Sequence, residues 1–156
     1  MSIQQLFPSA SEGPPEDRLP PQDVAAEQSV LGGMLLSKDA IADVVETLRG
    51  PDFYRPAHEI IFDAVLDLYG RGEPADAVTV ADELTKRGSL PRVGGTAYLH
   101  QLISSVPTAA HAEHYGRLVE RTSIMRRLID AASQIAGIGY DAPSDADAAL
   151  DRANQI

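Results

Sequence analysis

Apolar residues recur along this chain at spacings of three and four, the signature of helices, and only Ala77–Val80 resembles a short strand. Asp23 is placed to cap a first helix carrying Val24, Glu27, Val30, Leu31, Met34 and Leu35. Gly32 and Gly33 sit inside it, each costing about 1 kcal/mol relative to Ala in a helix interior. Close approach of another helix is the expected reason. Ser37 caps a second helix with Ile41, Val44, Val45 and Leu48, which Gly50 is expected to end in the left-handed conformation, with Pro51 blocking continuation. Pro56 suits the first turn of a third helix, with Ile60, Ile61, Val65 and Leu68 inward and Gly70 and Gly72 beyond its end. Over the strand-like stretch, Thr79 followed by Asp82 reads as a helix start, and Val80 and Leu84 continue a fourth helix to Gly88. Leu90–Gly95 reads as a turn. A fifth helix then holds Tyr98, Leu99, Leu102 and Ile103 and stops before Pro107.

The sixth element is longer. No proline interrupts Ala109 to Ile138, and a continuous helix there would span about 45 Å. One polar line (Glu120, Ser123, Arg127, Asp130, Gln134) faces two apolar ones, which include Ile124, Leu128, Ile135 and Leu118, Met125, Ile129. So wide an apolar arc calls for partners on two sides. Gly137 and Gly139 are expected to break the helix, and Ser144 with Asp147 to cap a returning arm bearing Ala146, Ala149, Leu150 and Ala153. The expected architecture is all-α: a head of about five helices over residues 23–107, then a helical hairpin over 108–156. Residues 1–22, rich in proline, read as a tail without regular structure. The short, Ala-rich second arm covers only part of the long helix, so the remaining apolar surface is expected to meet a second copy of the chain.

Composition narrows the choice of function. At 156 residues and 44% hydrophobic side chains, one domain with a proper core fits, and two large ones do not. Without cysteine there are no disulfides, thiolate catalysis or cysteine zinc sites, which suits a reducing compartment, and the cytoplasm is the expected location. No stretch reaches the roughly 18 consecutive apolar residues of a membrane span, and Met1–Asp17 lacks an export signature. A formal net charge of -10, from 23 acids against 13 bases, disfavours a phosphate-gripping surface. The one basic cluster is Arg117, Arg121, Arg126 and Arg127, whose simplest reading is pairing with acids such as Glu120 and Asp130. A free-standing helical nucleic-acid-binding protein using this cluster is the alternative function.

Catalytic chemistry finds little support. His111 and His114 lie one helical turn apart, but a metal site needs further ligands, and His58 and His100 fall on other helices. A small metal-dependent hydrolase is therefore the weakest reading. The only lysines, Lys38 and Lys86, lack the glycine-rich context of a nucleotide loop. Catalytic, metal and cofactor residues are expected to be none.

The segment Pro20-Pro21-Gln22-Asp23-Val24-Ala25-Ala26-Glu27-Gln28-Ser29-Val30-Leu31-Gly32 resembles the opening of the N-terminal domain of DnaB-type replicative helicases. The likeness continues through Asp52-Phe53-Tyr54 with His58, Ile61-Phe62-Asp63-Ala64, Asp76-Ala77-Val78-Thr79-Val80, Gly94-Gly95-Thr96-Ala97-Tyr98-Leu99, Val106-Pro107-Thr108-Ala109-Ala110 and Arg126-Arg127-Leu128-Ile129. It covers about Pro20 to Tyr140, departing at Ala25, where the family commonly has Glu, and at His111, where it commonly has Asn.

This resemblance implies a bacterial hexameric ring in which hairpins pair into dimers, and recruitment of primase for primer synthesis, with initiator or loader proteins as further candidates. It also implies a RecA-like motor using ATP and Mg after a linker, handling the DNA and expected to lie beyond Ile156. By motif, Tyr98, Ile129 and Ile135 match primase-docking positions. Leu118, Met125, Leu128, Ala132 and Ala136 are expected in the hairpin pairing. Ile129 and Ile135 lie on separate apolar lines, and core or dimer packing remains open for both.

Overall fold

The structure, a computed structural model, describes residues 18–141 and 143–156. The tail reading of residues 1–17 thus lies outside the described residues, while 18–22 form neither helix nor strand. Among the described residues the fold is all-α, with eight α-helices: α1 (Val24–Leu36), α2 (Lys38–Val45), α3 (Pro56–Gly70), α4 (Ala77–Lys86), α5 (Leu90–Val93), α6 (Gly95–Ser104), α7 (Ala112–Tyr140) and α8 (Ala146–Asn154).

The central element is α1. Six consecutive residues, Val30 to Leu35, are buried, because α2, α3, α6 and α7 surround this helix. Its two glycines permit that crowding. A Cβ on Gly32 would stand 2.2 Å from the Leu102 carbonyl oxygen and 2.3 Å from Val106 Cγ2, and one on Gly33 would stand 3.3 Å from the Ala112 methyl. Around α1 the core collects Val44 and Leu48, Ile61, Phe62 and Val65, Val80 and Leu84, and Leu99 and Leu102. The Phe53 and Phe62 rings meet at 4.9 Å between centroids. Ala112 and Val119 extend the same core into the first half of α7.

Caps explain most boundaries. Asp23 accepts from the Ala26 N–H at 2.9 Å and Ser37 from the Ala40 N–H at 3.4 Å, while Pro56 opens α3. Elsewhere the structure departs from expectation. Gly50 is not left-handed: α2 ends at Val45, and Gly50 opens a 3-10 turn, Gly50–Asp52, close under the Asp63 carboxylate. The α4 cap is Asp76, three residues ahead of Thr79. Its carboxylate takes the Val78 and Thr79 N–H groups while Thr79 Oγ1 takes the Asp76 N–H. Leu90–Val93 forms a helical turn instead of an irregular one, started by Pro91 in its first turn and stopped by Gly94 at φ +99°.

The largest correction concerns α7, which runs 29 residues straight through Gly137 and Gly139 to Tyr140. Glycine weakens a helix by only about 1 kcal/mol and does not compel it to stop. Beyond the turn, α8 is capped by Asp145, which accepts from the Ala148 N–H at 3.0 Å, in place of Ser144.

Candidate interaction surface along the long helix

The face of α7 turned to the rest of the chain carries small and polar residues. Ala112, Gly116, Val119 and Ser123 are buried there. Ser123 thus leaves the solvent-facing polar line on which its spacing placed it. Its hydroxyl donates to Asp52 Oδ1 at 2.6 Å. One turn on, Arg126 donates to two main-chain carbonyls, Pro21 O at 2.8 Å and Asp52 O at 2.5 Å, and its guanidinium lies 5.6 Å from the Tyr54 ring centre. Three segments distant in sequence are thereby tied together: the lead-in to α1, the turn before α3, and the middle of α7.

Because that face is taken by the core, both apolar lines of α7 point away from it beyond Leu118. Leu128 is 60% exposed, Ile129 51%, Ile135 46%, Met125 43% and Ile124 40%. Ala132 and Ala136 are exposed as well, whereas Leu118 is half-buried against the core. The returning α8 covers only one flank of the second half of α7: Ile138 is buried, and Ala149 and Ala153 are partly so. Leu150 on α8 stays 63% exposed. Six residues separate Ile129 from Ile135, which sets them about 120° apart around the helix. They cannot both face one flat neighbour.

Tyr98 lies on a different element. Its helix α6 packs on α1, α4 and α5, whereas α7 packs on α1 and α2. Half-buried, Tyr98 places its hydroxyl 2.6 Å from His58 Nε2, and Gln28 Nε2 donates to the same oxygen at 3.3 Å. His58 Nδ1 in turn lies 2.7 Å from Glu27 Oε2, and both residues are fully enclosed. The three expected docking residues are therefore distributed over two separate surfaces. The Glu27–His58–Tyr98 chain was missed from sequence because its members, 31 and 40 positions apart, share no periodicity. The only available signal was a Glu in the inward row of α1, which demands a buried partner.

Two of the four arginines of the basic cluster are engaged within the chain. Arg117 pairs with Glu113 at 2.5 Å rather than with Glu120, and Arg126 is committed to the carbonyls above. Arg121 and Arg127 are exposed. His111 stands at the position preceding α7 without capping it through its side chain, and His114 meets Tyr115 edge-on at 5.8 Å. Among the described residues no three His, Asp or Glu side chains converge as a metal site, and no helix is long and apolar enough to cross a membrane.

An enclosed helical core feeding one long helix, whose outer side is apolar and uncovered, defines the class: an all-α domain with a projecting helical hairpin. The chain belongs to the DnaB-like helicase N-terminal domain family, whose model matches residues 19–121. It is 62% identical over 144 residues to the replicative DNA helicase DnaB of Mycobacterium leprae, a match covering 90% of this chain and 24% of that protein. The chain thus spans about a quarter of the length of this curated relative. Among solved structures it is similar to the N-terminal domain of DnaB helicase from Mycobacterium tuberculosis, with 61% identity and a TM-score of 0.85 over 88% of this chain and 97% of that one. It also resembles a DnaB-like replicative helicase described with its interactions with primase, at 27% identity and a TM-score of 0.68, over 84% of this chain and 31% of that one.

Proposed function

We propose that this chain is the non-catalytic collar of a bacterial replicative DNA helicase, assembling subunits into a ring and docking primase. The observation that carries this reading is the uncovered apolar side of α7, where Met125, Leu128 and Ile129 stand on the surface of a chain whose other large apolar residues are mostly enclosed. Self-pairing of hairpins into dimers, three of which complete a hexamer, gives the Met125–Leu128–Ala132 side a partner. Leu118, already half enclosed within its own chain, contributes less to pairing than the residues beyond it. Family membership and the relative described with primase support a docking role for the domain, in which Tyr98, Ile129 and Ile135 are our candidate positions.

On this reading residues 23–107 act as the globular head and 108–156 as the pairing hairpin, with the start of α7 rooted in the head through Ala112 and Val119. Unwinding, with its ATP and Mg, belongs to a RecA-like motor of the full-length helicase, and the setting is the cytoplasm. The alternative nucleic-acid reading gains no supporting observation, because two of the four arginines of its cluster are engaged and the net charge is -10.

Sedimentation across a concentration series, followed by titration with the cognate primase, tests the proposal. A concentration-dependent dimer or larger assembly that binds primase is expected. A strict monomer at high concentration that binds no primase, even within the full ring, overturns it.

A further inference from the structure

The half-exposed tyrosine on α6 is held from behind by two enclosed titratable side chains that the scaffold reading does not use. Glu27 and His58 are 1% and 0% exposed. Glu27 Oε1 accepts the Tyr54 main-chain N–H, and Oε2 lies 2.7 Å from His58 Nδ1. An ionised carboxylate has only acceptor capacity, so Nδ1 carries the hydrogen. That leaves Nε2, 2.6 Å from the Tyr98 hydroxyl oxygen, with the two ring planes within 7°. The same oxygen already receives a donor, Gln28 Nε2 at 3.3 Å. In the neutral imidazole with its hydrogen on Nδ1, Nε2 is the acceptor, and the phenol's own hydrogen goes to it. What remains on Tyr98 for anything outside the chain is lone-pair capacity.

We propose that Glu27 and His58 are positioning residues that fix Tyr98 as a hydrogen-bond acceptor, so that the group docking against it is a donor such as a Lys, Arg, Asn or Gln side chain. This rests on the docking reading of Tyr98 given above. A free phenol can turn its hydrogen toward any neighbour and so meets donors and acceptors alike. Consuming that hydrogen inside the protein removes one of the two options, and a partner offering a carboxylate or carbonyl there meets repulsion. Burying Glu27 and His58 also means that the polarity of the surface group is set by a pair no ligand touches.

Two measurements decide the matter. Nitrogen-15 spectroscopy of the histidines at neutral pH is expected to show His58 with Nδ1 protonated and Nε2 bare. A protonated Nε2 overturns the proposal. Primase titration then compares Tyr98→Phe with His58→Asn, whose amide retains a donor to Glu27 and lacks the Nε2 acceptor. Tyr98→Phe is expected to weaken binding about 5-fold and His58→Asn about 2-fold, since the freed phenol still accepts but is no longer held in place, and the double variant no further than Tyr98→Phe alone. Unchanged affinity in His58→Asn alongside a weakened Tyr98→Phe also overturns it, provided a thermal melt shows the variant folded. If the asparagine variant does not fold, the nitrogen spectrum decides alone. If the unaltered chain binds no primase, the docking reading fails, while the spectrum still decides whether the tyrosine's hydrogen is consumed internally.

Discussion

Single residues carry sharply different weights in this fold. At Gly32 the obstacle to a side chain is the Leu102 carbonyl at 2.2 Å, a main-chain atom of α6 that cannot turn aside. Gly32→Ala is therefore expected to lower unfolding free energy by about 2 kcal/mol despite the helix propensity gained. Gly33→Ala, whose nearest neighbour is the Ala112 methyl at 3.3 Å with Ala109 main-chain atoms at ordinary contact distances of 3.7 and 4.0 Å, is expected to fall near zero. Urea denaturation of the two variants measures the contrast. A second residue, Glu83, is bracketed by Arg71 at 2.9 Å and Arg87 at 2.7 Å, and Arg87 also reaches Asp67 at 2.6 Å, linking α3 to α4. Hydrogen bonds from Arg71 and then Arg87 hold the Glu83 carboxyl at about 2, below its usual 4.5. The unfolded chain takes up that proton first as pH falls, so the contribution is complete above about 4.5 and drains away toward 2. In Glu83→Gln, the thermal midpoint is expected to fall less steeply across that window, and melts recorded from pH 7 to pH 2.5 check it.

Among the elements, the junction between the head and α7 depends on the long reach of Arg126. Its two carbonyl acceptors sit 105 and 74 positions away in sequence, and both contacts are partly enclosed. Arg126→Ala is expected to cost about 2 kcal/mol in urea denaturation, and Arg126→Lys somewhat less, since an ammonium cannot span both carbonyls with a rigid fork. This is where reading the sequence met its limit. Asp23, Ser37 and Pro56 announced their helices because a cap acts within three residues of itself, and the glycine pair in α1 announced close packing because its cost demanded a reason. Gly50 misled, since the same residue type serves a left-handed cap or a close approach, and here Asp63 occupies the space a Cβ would need. Asp76 was overlooked because Thr79, its reciprocal partner, carries the more familiar start signal. Ser123 looked like a solvated polar position, and Arg126 like a member of a basic cluster paired with neighbouring acids. Nothing local in the sequence shows that Asp52 and Pro21 come to meet them.

For the molecule as a whole, the ledger of covered and uncovered apolar surface is lopsided. The head encloses nearly all of its large apolar side chains, while α7 and α8 leave Leu128, Ile129, Ile135 and Leu150 between 46% and 63% exposed. A change confined to that side touches no core contact. Leu128→Asp is accordingly expected to leave the melting temperature of the dilute chain within a degree or two, and to raise the dissociation constant of self-association at least 10-fold. Analytical ultracentrifugation alongside a thermal melt separates these effects, and a variant that associates unchanged would remove Leu128 from the pairing face. Tyr98 is expected to be indifferent to this change, because it stands on α6 and belongs to a different surface.

The way α7 is anchored gives it the mechanics of a cantilever. Its first half is clamped by Ala112, Val119, Ser123 and Arg126, and its second half, some 20 Å long, is braced among the described residues chiefly by α8. A tilt of about 5° at the clamp carries the far tip by about 2 Å, comparable to half a side-chain diameter. Ile129 and Ile135 sit along that overhang. A partner gripping the tip consequently holds a long handle on the orientation of the entire head, and exerts torque on it with little force.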